Sequence, residues 1–185
     1  MNNQEWESAS MRTLGPRSVS SFLKVALDVT YILLAILVLV LGVLSVLSAY
    51  ALFDPTPFHH WRIHGHSIVE ATPAGVAGIL TGVFFTLGLL AIVGSLRRIF
   101  VTLIAGQPFQ AGNAHRLRII GLILAGLEVA RYAVYAIFTF GFQVESEHLT
   151  WNINFTALFA IGVMFVLAEV FEEGARMRKD LDLTI

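Results

Sequence analysis

One acidic and one basic side chain, Glu128 and Arg131, lie near the middle of an apolar stretch of residues 119–142. A lone charge at the centre of a bilayer costs about 2.5 to 3.5 kcal/mol on insertion scales. Three positions apart on a helix, the two side chains share one face and can neutralise each other. We therefore predict that the two side chains form a structural ion pair that faces the other helices. The alternative is that they line part of a path for a polar substrate or a proton.

A run of histidines is the second group that could carry chemistry. Neutral imidazole is a common ligand of zinc and copper, and His64 and His66 would point to the same side of an extended segment. No carboxylate cluster stands beside them, and their spacing matches no established zinc site. A solvated loop is the favoured interpretation, and a metal site is the alternative. The histidines concerned are His59, His60, His64 and His66.

Signatures of catalysis are missing from the chain, which has no Walker loop, nucleophile elbow, HExxH motif or zinc-deaminase pattern. Cysteine is absent, so disulfides and thiol chemistry are excluded. The net charge is −1 and no basic stripe with interleaved aromatic residues offers a face for phosphates. We therefore expect neither an enzyme nor a protein that binds nucleic acid directly, and we expect no cofactor.

The elements that must position these residues follow from the hydrophobic pattern. Of the 185 residues, 56% are hydrophobic and 14% are charged, against about a quarter charged in soluble domains. A helix needs about 20 apolar residues to cross the hydrocarbon layer, and only helices satisfy their backbone there without partner strands. The sequence predicts an all-α, polytopic bundle of four transmembrane helices in a single domain, residues 21–185, after a flexible tail, residues 1–20. The predicted spans are residues 25–52, 74–96, 119–142 and 153–171.

The distribution of lysine and arginine predicts the orientation. Ten of these residues precede the first predicted span, lie between the second and third, or follow the fourth, whereas the opposite loops hold only Arg62. By the positive-inside rule, both termini and the central loop are cytoplasmic. We therefore expect a multi-pass protein of the bacterial cytoplasmic (inner) membrane.

Residues at the predicted boundaries add detail. Thr72 can cap the second helix, with Pro73 at the first helical position, and Asn113 is placed to cap the third. The second helix is expected to continue beyond its span as far as Ala105. Asp28 lies near the start of span one and Glu169 near the end of span four, and anchoring at the membrane surface is the favoured interpretation of both. A contact of either with Arg97, Arg98 or Arg118 is the alternative, which the sequence leaves open.

Glycines in span two are spaced so that helix backbones can approach closely. Gly78 and Gly82 are four positions apart, and Gly121 and Ala125 repeat that spacing in span three. Packing within the bundle is the favoured interpretation. A homo-oligomer that uses the same small residues is the alternative.

Two cytoplasmic segments carry a family resemblance. Residues 105–109 read AGQPF and are followed by NAHRLRIIG at 113–121, while the tail reads FEEGARMR at 171–178 and ends DLTI. These segments resemble a bacterial membrane family catalogued as domain of unknown function 2975, over a stretch that extends from span one to the end of the chain. The resemblance implies no activity. Members are often encoded next to a small helix-turn-helix regulator of the Cro-repressor type, which implies a membrane partner for such a regulator.

The combined hypothesis is a membrane protein whose cytoplasmic hairpin and tail dock a small helix-turn-helix regulator, with membrane lipid as its other partner. Alternatives are a hairpin that only sets the register of spans two and three, a small transporter or channel subunit that uses Glu128 and Arg131, and a sensor that uses the histidine loop. The candidate docking residues are Gly106, Pro108, Phe109, Asn113, Arg116, Arg118, Glu172, Glu173, Arg176 and Arg178.

Overall fold

The computed structural model describes residues 19–54, 56, 62–63, 66–67, 72–142 and 153–182. The predicted N-terminal tail therefore lies outside the described residues as far as residue 18. Four long helices make up nearly all of the described chain, which confirms the predicted all-α fold. They are α1 Val19–Ala51, α2 Pro73–Ile104, α3 Ala111–Ala136, which continues as a π-helical turn over Ile137–Gly141, and α4 Phe155–Asp182.

Each helix contains a stretch that is long and apolar enough to cross a membrane: Phe22–Ala51, Pro73–Ile104, Gly112–Gly141 and Phe155–Asp180. At a rise of about 1.5 Å per residue, α1 and α2 are each about 50 Å long, compared with a hydrocarbon thickness of about 30 Å. The helices are therefore longer than the membrane layer they can cross, and their ends extend beyond it.

The helices pack as two antiparallel hairpins. α1 lies along α2, α3 lies along α4, and α2 joins the two hairpins through a smaller contact with α3. Within the described residues α1 and α4 scarcely meet. The loop of residues 105–110, the first turns of α1 and α3, and the last turns of α4 share one end of the molecule, which we call the hairpin end. The opposite end is the far end.

The most buried apolar cluster lies toward the hairpin end, where α2, α3 and α4 meet, and it contains Ile99, Leu117, Ile120 and Ala168. Small residues allow the helices to approach. A Cβ added at Gly88 would lie 2.7 Å from a methyl carbon of Leu127 on α3, and one at Gly121 would lie 3.3 Å from the ring of Phe165 on α4. Gly88 and Gly121 therefore serve packing within the chain. At the predicted position Gly82 a Cβ would lie 3.8 Å from a methyl carbon of Leu41 on α1, and at Gly78 it would lie 4.0 Å from the ring of Phe138, so both face other parts of the bundle as the favoured interpretation expected.

Two of the predicted helix boundaries are confirmed. Thr72 caps α2, because its Oγ1 accepts a hydrogen bond from the N–H of Gly75 at 3.1 Å, and Pro73 follows at the first position. α2 continues to Ile104, with Ala105 as its C-cap.

The predicted cap at Asn113 is wrong. α3 begins earlier, at Ala111, and the residue before it, Gln110, has extended backbone torsions and occupies the cap position without a side-chain hydrogen bond. Asn113 stands in the first turn, and its amide is bonded to the end of α2 and to the preceding loop. The sequence indicated a residue suited to capping, but tertiary hydrogen bonds use that side chain instead.

At the far end, the loop after α1 begins with a turn in which Asp54 accepts hydrogen bonds from the hydroxyl and the N–H of Thr56. These bonds stabilise the carboxylate and lower the pKa of Asp54 from its ordinary value.

Two short strands and a helix cap complete the described part of the far end. β1 Arg62–Ile63 pairs antiparallel with β2 His66–Ser67. Asn154 caps α4 by accepting a hydrogen bond from the N–H of Ala157 at 3.1 Å.

Candidate functional site

The loop between α2 and α3 is shaped by a glycine that ends α2. Gly106 has φ of 71°, a torsion that side-chain-bearing residues rarely adopt. Its N–H donates to the carbonyl of Leu103, and the N–H of Gln107 donates to that of Thr102. This is the Schellman arrangement, which satisfies the last carbonyls of a helix and reverses the chain direction. The turn therefore fixes where Pro108 and Phe109 lie.

Phe109 joins this loop to the last turns of α4. Its ring centroid lies 5.7 Å from that of Phe171. It also covers Gly174 so closely that a Cβ there would lie 2.5 Å from Phe109 Cδ1. Only glycine leaves room for the ring at this height on α4. The loop and the tail therefore form one unit, which we call the hairpin platform: residues 105–118 and 169–182.

Asn113 holds the platform together from inside. Its side chain is fully buried. Asn113 Nδ2 donates to Thr102 Oγ1 at 2.6 Å and to the carbonyl of Pro108 at 2.9 Å, while Asn113 Oδ1 accepts from Arg116 Nη1 at 2.9 Å. One amide thus links the end of α2, the loop and the first turns of α3. A buried polar group that is fully bonded in this way specifies a single arrangement of its partners.

Arg118 forms the ionic link between α3 and α4. Its Nη2 donates to Glu169 Oε2 at 3.3 Å and also to Glu172 Oε2. The sequence left a contact of Glu169 with a cytoplasmic arginine open, and the structure brings Arg118 to it. One guanidinium thus links two carboxylates on successive turns of α4 and offsets one of their two negative charges.

The remaining surface of the platform exposes both charged and apolar side chains. Glu173 and Arg176 pair with each other at 2.8 Å, and Arg178 and Lys179 are exposed next to them along α4. Met177 is 56% exposed and Phe109 is 43% exposed. All ten candidate docking residues lie on the platform. They differ in exposure: Pro108, Arg116 and Arg118 are half-buried, and Asn113 is fully buried and shapes the platform from within.

The mid-span pair is a closed contact within α3. Arg131 Nη2 donates to Glu128 Oε1 at 2.7 Å, and the side chains are only 28% and 13% exposed, respectively. The guanidinium also lies over the ring of Tyr132, 4.7 Å from its centroid. Close by, a cavity of about 410 Å³ between α2 and α3 is lined by apolar residues and glycines, among them Gly88 and Leu127.

Most of the histidine hypothesis falls outside the described residues, which omit His59, His60 and His64. The backbone of His66 belongs to β2 and pairs with Ile63 of β1. The expectation that His64 and His66 point to the same side lies outside the described residues, because it depends on His64.

Three residues that shape the platform were not among the candidates inferred from the sequence: Thr102 near the end of α2, and Phe171 and Gly174 on α4. Their roles depend on partners that are distant along the chain, Asn113 for Thr102 and Phe109 for the other two. A glycine inside a charged helical tail was a usable signal, since glycine costs about 1 kcal/mol in a helix interior and is retained where a neighbour needs the space.

The helices and their exposed apolar faces define the class of the molecule, a multi-pass membrane protein with four spans. The chain belongs to the family described as "Protein of unknown function (DUF2975)", whose family model matches residues 61–185. The resemblance was expected from span one onward, but the match begins after α1 and covers α2 to α4 with both signature segments. Searches of curated proteins and of solved structures give no match.

Proposed function

We propose that this protein is a non-catalytic, multi-pass protein of the bacterial inner membrane whose hairpin platform docks a small helix-turn-helix regulator on the cytoplasmic side. The observation that carries the proposal is the joint between Phe109 and Gly174, which makes one preformed surface from two segments that are far apart in the sequence. A preformed surface loses little conformational entropy on binding a partner.

The orientation required by this proposal is supported by the distribution of cations. Lys24, Arg97, Arg98 and the arginines of the platform lie at the hairpin end, and Arg62 is the one described cation in the far-end loops. The positive-inside rule assigns the richer end to the cytoplasm. Since the helices are longer than the hydrocarbon layer, the platform extends into the aqueous phase on that side.

The composition of the platform surface suits a protein partner. Exposed apolar groups at Phe109 and Met177 are flanked by the charges of Glu173, Arg176 and Arg178. An apolar centre with a charged rim is typical of protein interfaces. The choice of a helix-turn-helix regulator rests on the family resemblance, which implies such a neighbour.

Site-specific crosslinking in intact cells tests the proposal. A photoreactive residue placed at Met177 should crosslink to a DNA-binding protein that mass spectrometry can identify. The same residue at Val166, which is 64% exposed on the same helix within the membrane layer, should not. Crosslinks from Val166 alone, or from neither position, would contradict the proposal.

A pair of glycine variants tests whether the joint prepares the surface. Gly174→Ala should weaken crosslinking from Met177 about tenfold, because the added methyl group displaces the Phe109 ring. Gly162→Ala on the same helix should have no effect, since a Cβ there meets nothing within 4 Å. Equal crosslinking in both variants would show that docking does not depend on the contact between Phe109 and Gly174.

Deletion of residues 174–185 tests the role of the tail. A pull-down of the shortened protein from membranes should no longer recover the partner; recovery without the tail would refute the docking assignment.

Transport through the mid-span pair is the competing proposal. It gains no support from the contacts, because Glu128 and Arg131 neutralise each other and the nearby cavity is apolar. Replacing Glu128 with Gln and Arg131 with Leu together distinguishes the two proposals. If the protein docks a regulator, the double variant should keep the crosslink from Met177 to the partner. If the protein is a transporter that requires the pair, the double variant should lose the measured flux.

A further inference from the structure

A cleft between α1 and α2 at the hairpin end has no role in the platform. Its volume is about 440 Å³, and charged side chains dominate its lining: Lys24 and Asp28 from α1, and Arg97 and Arg98 from α2. It lies on the side of α2 that faces α1, whereas the platform is built on α3 and α4. The cleft is therefore a separate feature of the same end of the molecule.

The charges in this cleft are only partly neutralised. Arg97 Nε donates to Asp28 Oδ1 at 2.5 Å, and the Arg97 guanidinium lies 4.6 Å from the centroid of the Tyr31 ring. These contacts hold Arg97 in place. Lys24 and Arg98 are exposed and form no ion pair or hydrogen bond within the described part of the chain. The carboxylate that lines the cleft, Asp28, is bonded to Arg97. The charges of Lys24 and Arg98 are therefore left in excess, an arrangement that favours a negatively charged ligand.

The cleft continues into an apolar groove. A second cavity, of about 390 Å³, shares Tyr31, Gly94 and Arg98 with the first and extends along α2 past Ala91 and Leu90 to Leu87. Gly94 lies beside the Tyr31 ring: a Cβ there would already be in van der Waals contact with the ring at 3.4 Å, so a larger side chain would enter the passage. Leu87 lies eleven positions before Arg98, a distance of about 16 Å along the helix. The combined groove runs from cations at the membrane surface to apolar side chains inside the hydrocarbon layer.

We infer that this groove binds an anionic phospholipid, with the lipid phosphate between Lys24 and Arg98 and an acyl chain along Leu87, Leu90 and Ala91. The shape and the charge agree on this ligand class, because a phosphate followed by a hydrocarbon chain is both anionic at one end and apolar at the other. Basic pockets between transmembrane helices are known to take anionic headgroups. Arg97 is not assigned to the phosphate, since Asp28 and Tyr31 already hold its guanidinium. The inference is independent of the docking proposal.

Native mass spectrometry of the purified full chain tests the inference, with phosphatidylglycerol and phosphatidylcholine titrated in parallel. The wild type should prefer phosphatidylglycerol. The double variant Lys24→Gln/Arg98→Gln should lose about 25-fold in affinity for it, at about fivefold per cation, and should keep its affinity for phosphatidylcholine. Arg98→Lys should retain most of the preference, which shows that loss in the Gln variant is not misfolding.

A matched control removes the same charge elsewhere. The variant Arg178→Gln/Lys179→Gln on the tail should bind phosphatidylglycerol as the wild type does. If it loses as much affinity as the groove double variant, the preference for phosphatidylglycerol comes from the net charge of the protein and the proposed site is wrong. Gly94→Leu keeps every charge but fills the passage beside Tyr31, and it should also weaken binding. Unchanged affinity in both Gly94→Leu and the groove double variant would overturn the inference.

Free phosphate is the other source of the same anion. Inorganic phosphate at millimolar concentration should fail to displace phosphatidylglycerol, because it lacks the acyl chain that occupies the apolar groove. Displacement by phosphate, or binding of phosphate alone to the wild type that disappears in the groove double variant, would make this a phosphate site and overturn the assignment to a lipid.

Discussion

Ion pairs occur in two regions of this protein, in the middle of α3 and at the hairpin end, and only at the hairpin end does the structure show pairs that join two helices. In mid-span, Glu128 and Arg131 pair within one helix and are mostly shielded. At the hairpin end, Asp28 with Arg97, and Arg118 with Glu169 and Glu172, pair between helices and remain partly exposed. We expect from this contrast that the mid-span pair helps α3 to enter the membrane, whereas the pairs between helices at the hairpin end select which helices lie next to each other.

This division follows from the solvent of each region. A helix that enters lipid before it meets its neighbours must carry neutral side chains or neutralise its own charges, and an i,i+3 pair does so without a partner. Near the headgroups, water stabilises separated charges. Ion pairs there can therefore form after the helices have assembled. Where the structure describes the chain, charge pairs between helices therefore occur at the hairpin end, where they can form after the helices have assembled.

The largest expected effect comes from leaving the mid-span arginine without its partner. Glu128→Gln keeps the side-chain shape but removes the charge, and it should lower the free energy of unfolding in lipid or detergent by about 3 kcal/mol. Adding Arg131→Leu should restore most of that loss, because no uncompensated charge remains. Thermal unfolding of the purified variants measures both changes.

The matched control for this prediction has the same spacing in the other region. Glu173 and Arg176 are also an i,i+3 pair, at 2.8 Å, but they are exposed at the hairpin end. Glu173→Gln should therefore change the free energy of unfolding by less than about 0.5 kcal/mol. Equal losses in Glu128→Gln and Glu173→Gln would remove the distinction between the two regions.

The four spans, the cap at Thr72 and the continuation of α2 could be predicted from sequence because each depends on neighbouring residues. Long apolar runs require helices in lipid, and a cap requires only a side chain within three positions. The partners of Asn113 and Phe109 could not be predicted, since Thr102 and Gly174 reach them only after α2, α3 and α4 have packed. Asn113 is an example: its side chain is chemically suited to cap a helix, but its hydrogen-bond partners are determined by how the helices pack.

A second, intermediate effect is expected at Asn113 itself. Asn113→Ala leaves Thr102 and the carbonyl of Pro108 without the amide that binds them, and it should lower the free energy of unfolding by about 1 to 3 kcal/mol. His115→Ala, two residues further along the same helix and exposed, should lower it by less than about 0.5 kcal/mol. Comparable melting temperatures for the two variants would show that the amide does not hold the platform together.

The smallest effect is expected from Arg118, although it contacts two carboxylates. The side chains of Glu169 and Glu172 are 78% and 53% exposed, so water already screens both charges. Arg118→Gln should therefore lower the free energy of unfolding by about 0.2 to 1 kcal/mol, and this difference should shrink when the salt concentration is raised to about 1 M. Thermal unfolding at low and high salt measures it.

The salt dependence is what separates the two regions most sharply. The loss caused by Glu128→Gln should persist in high salt, because ions do not enter the apolar layer around α3, while the loss caused by Arg118→Gln should fade. A salt-insensitive loss at Arg118 would mean that its links to α4 are shielded like the mid-span pair. Arg118 and the mid-span pair would then differ only in whether the contact lies between helices or within one, and not in the solvent that surrounds it.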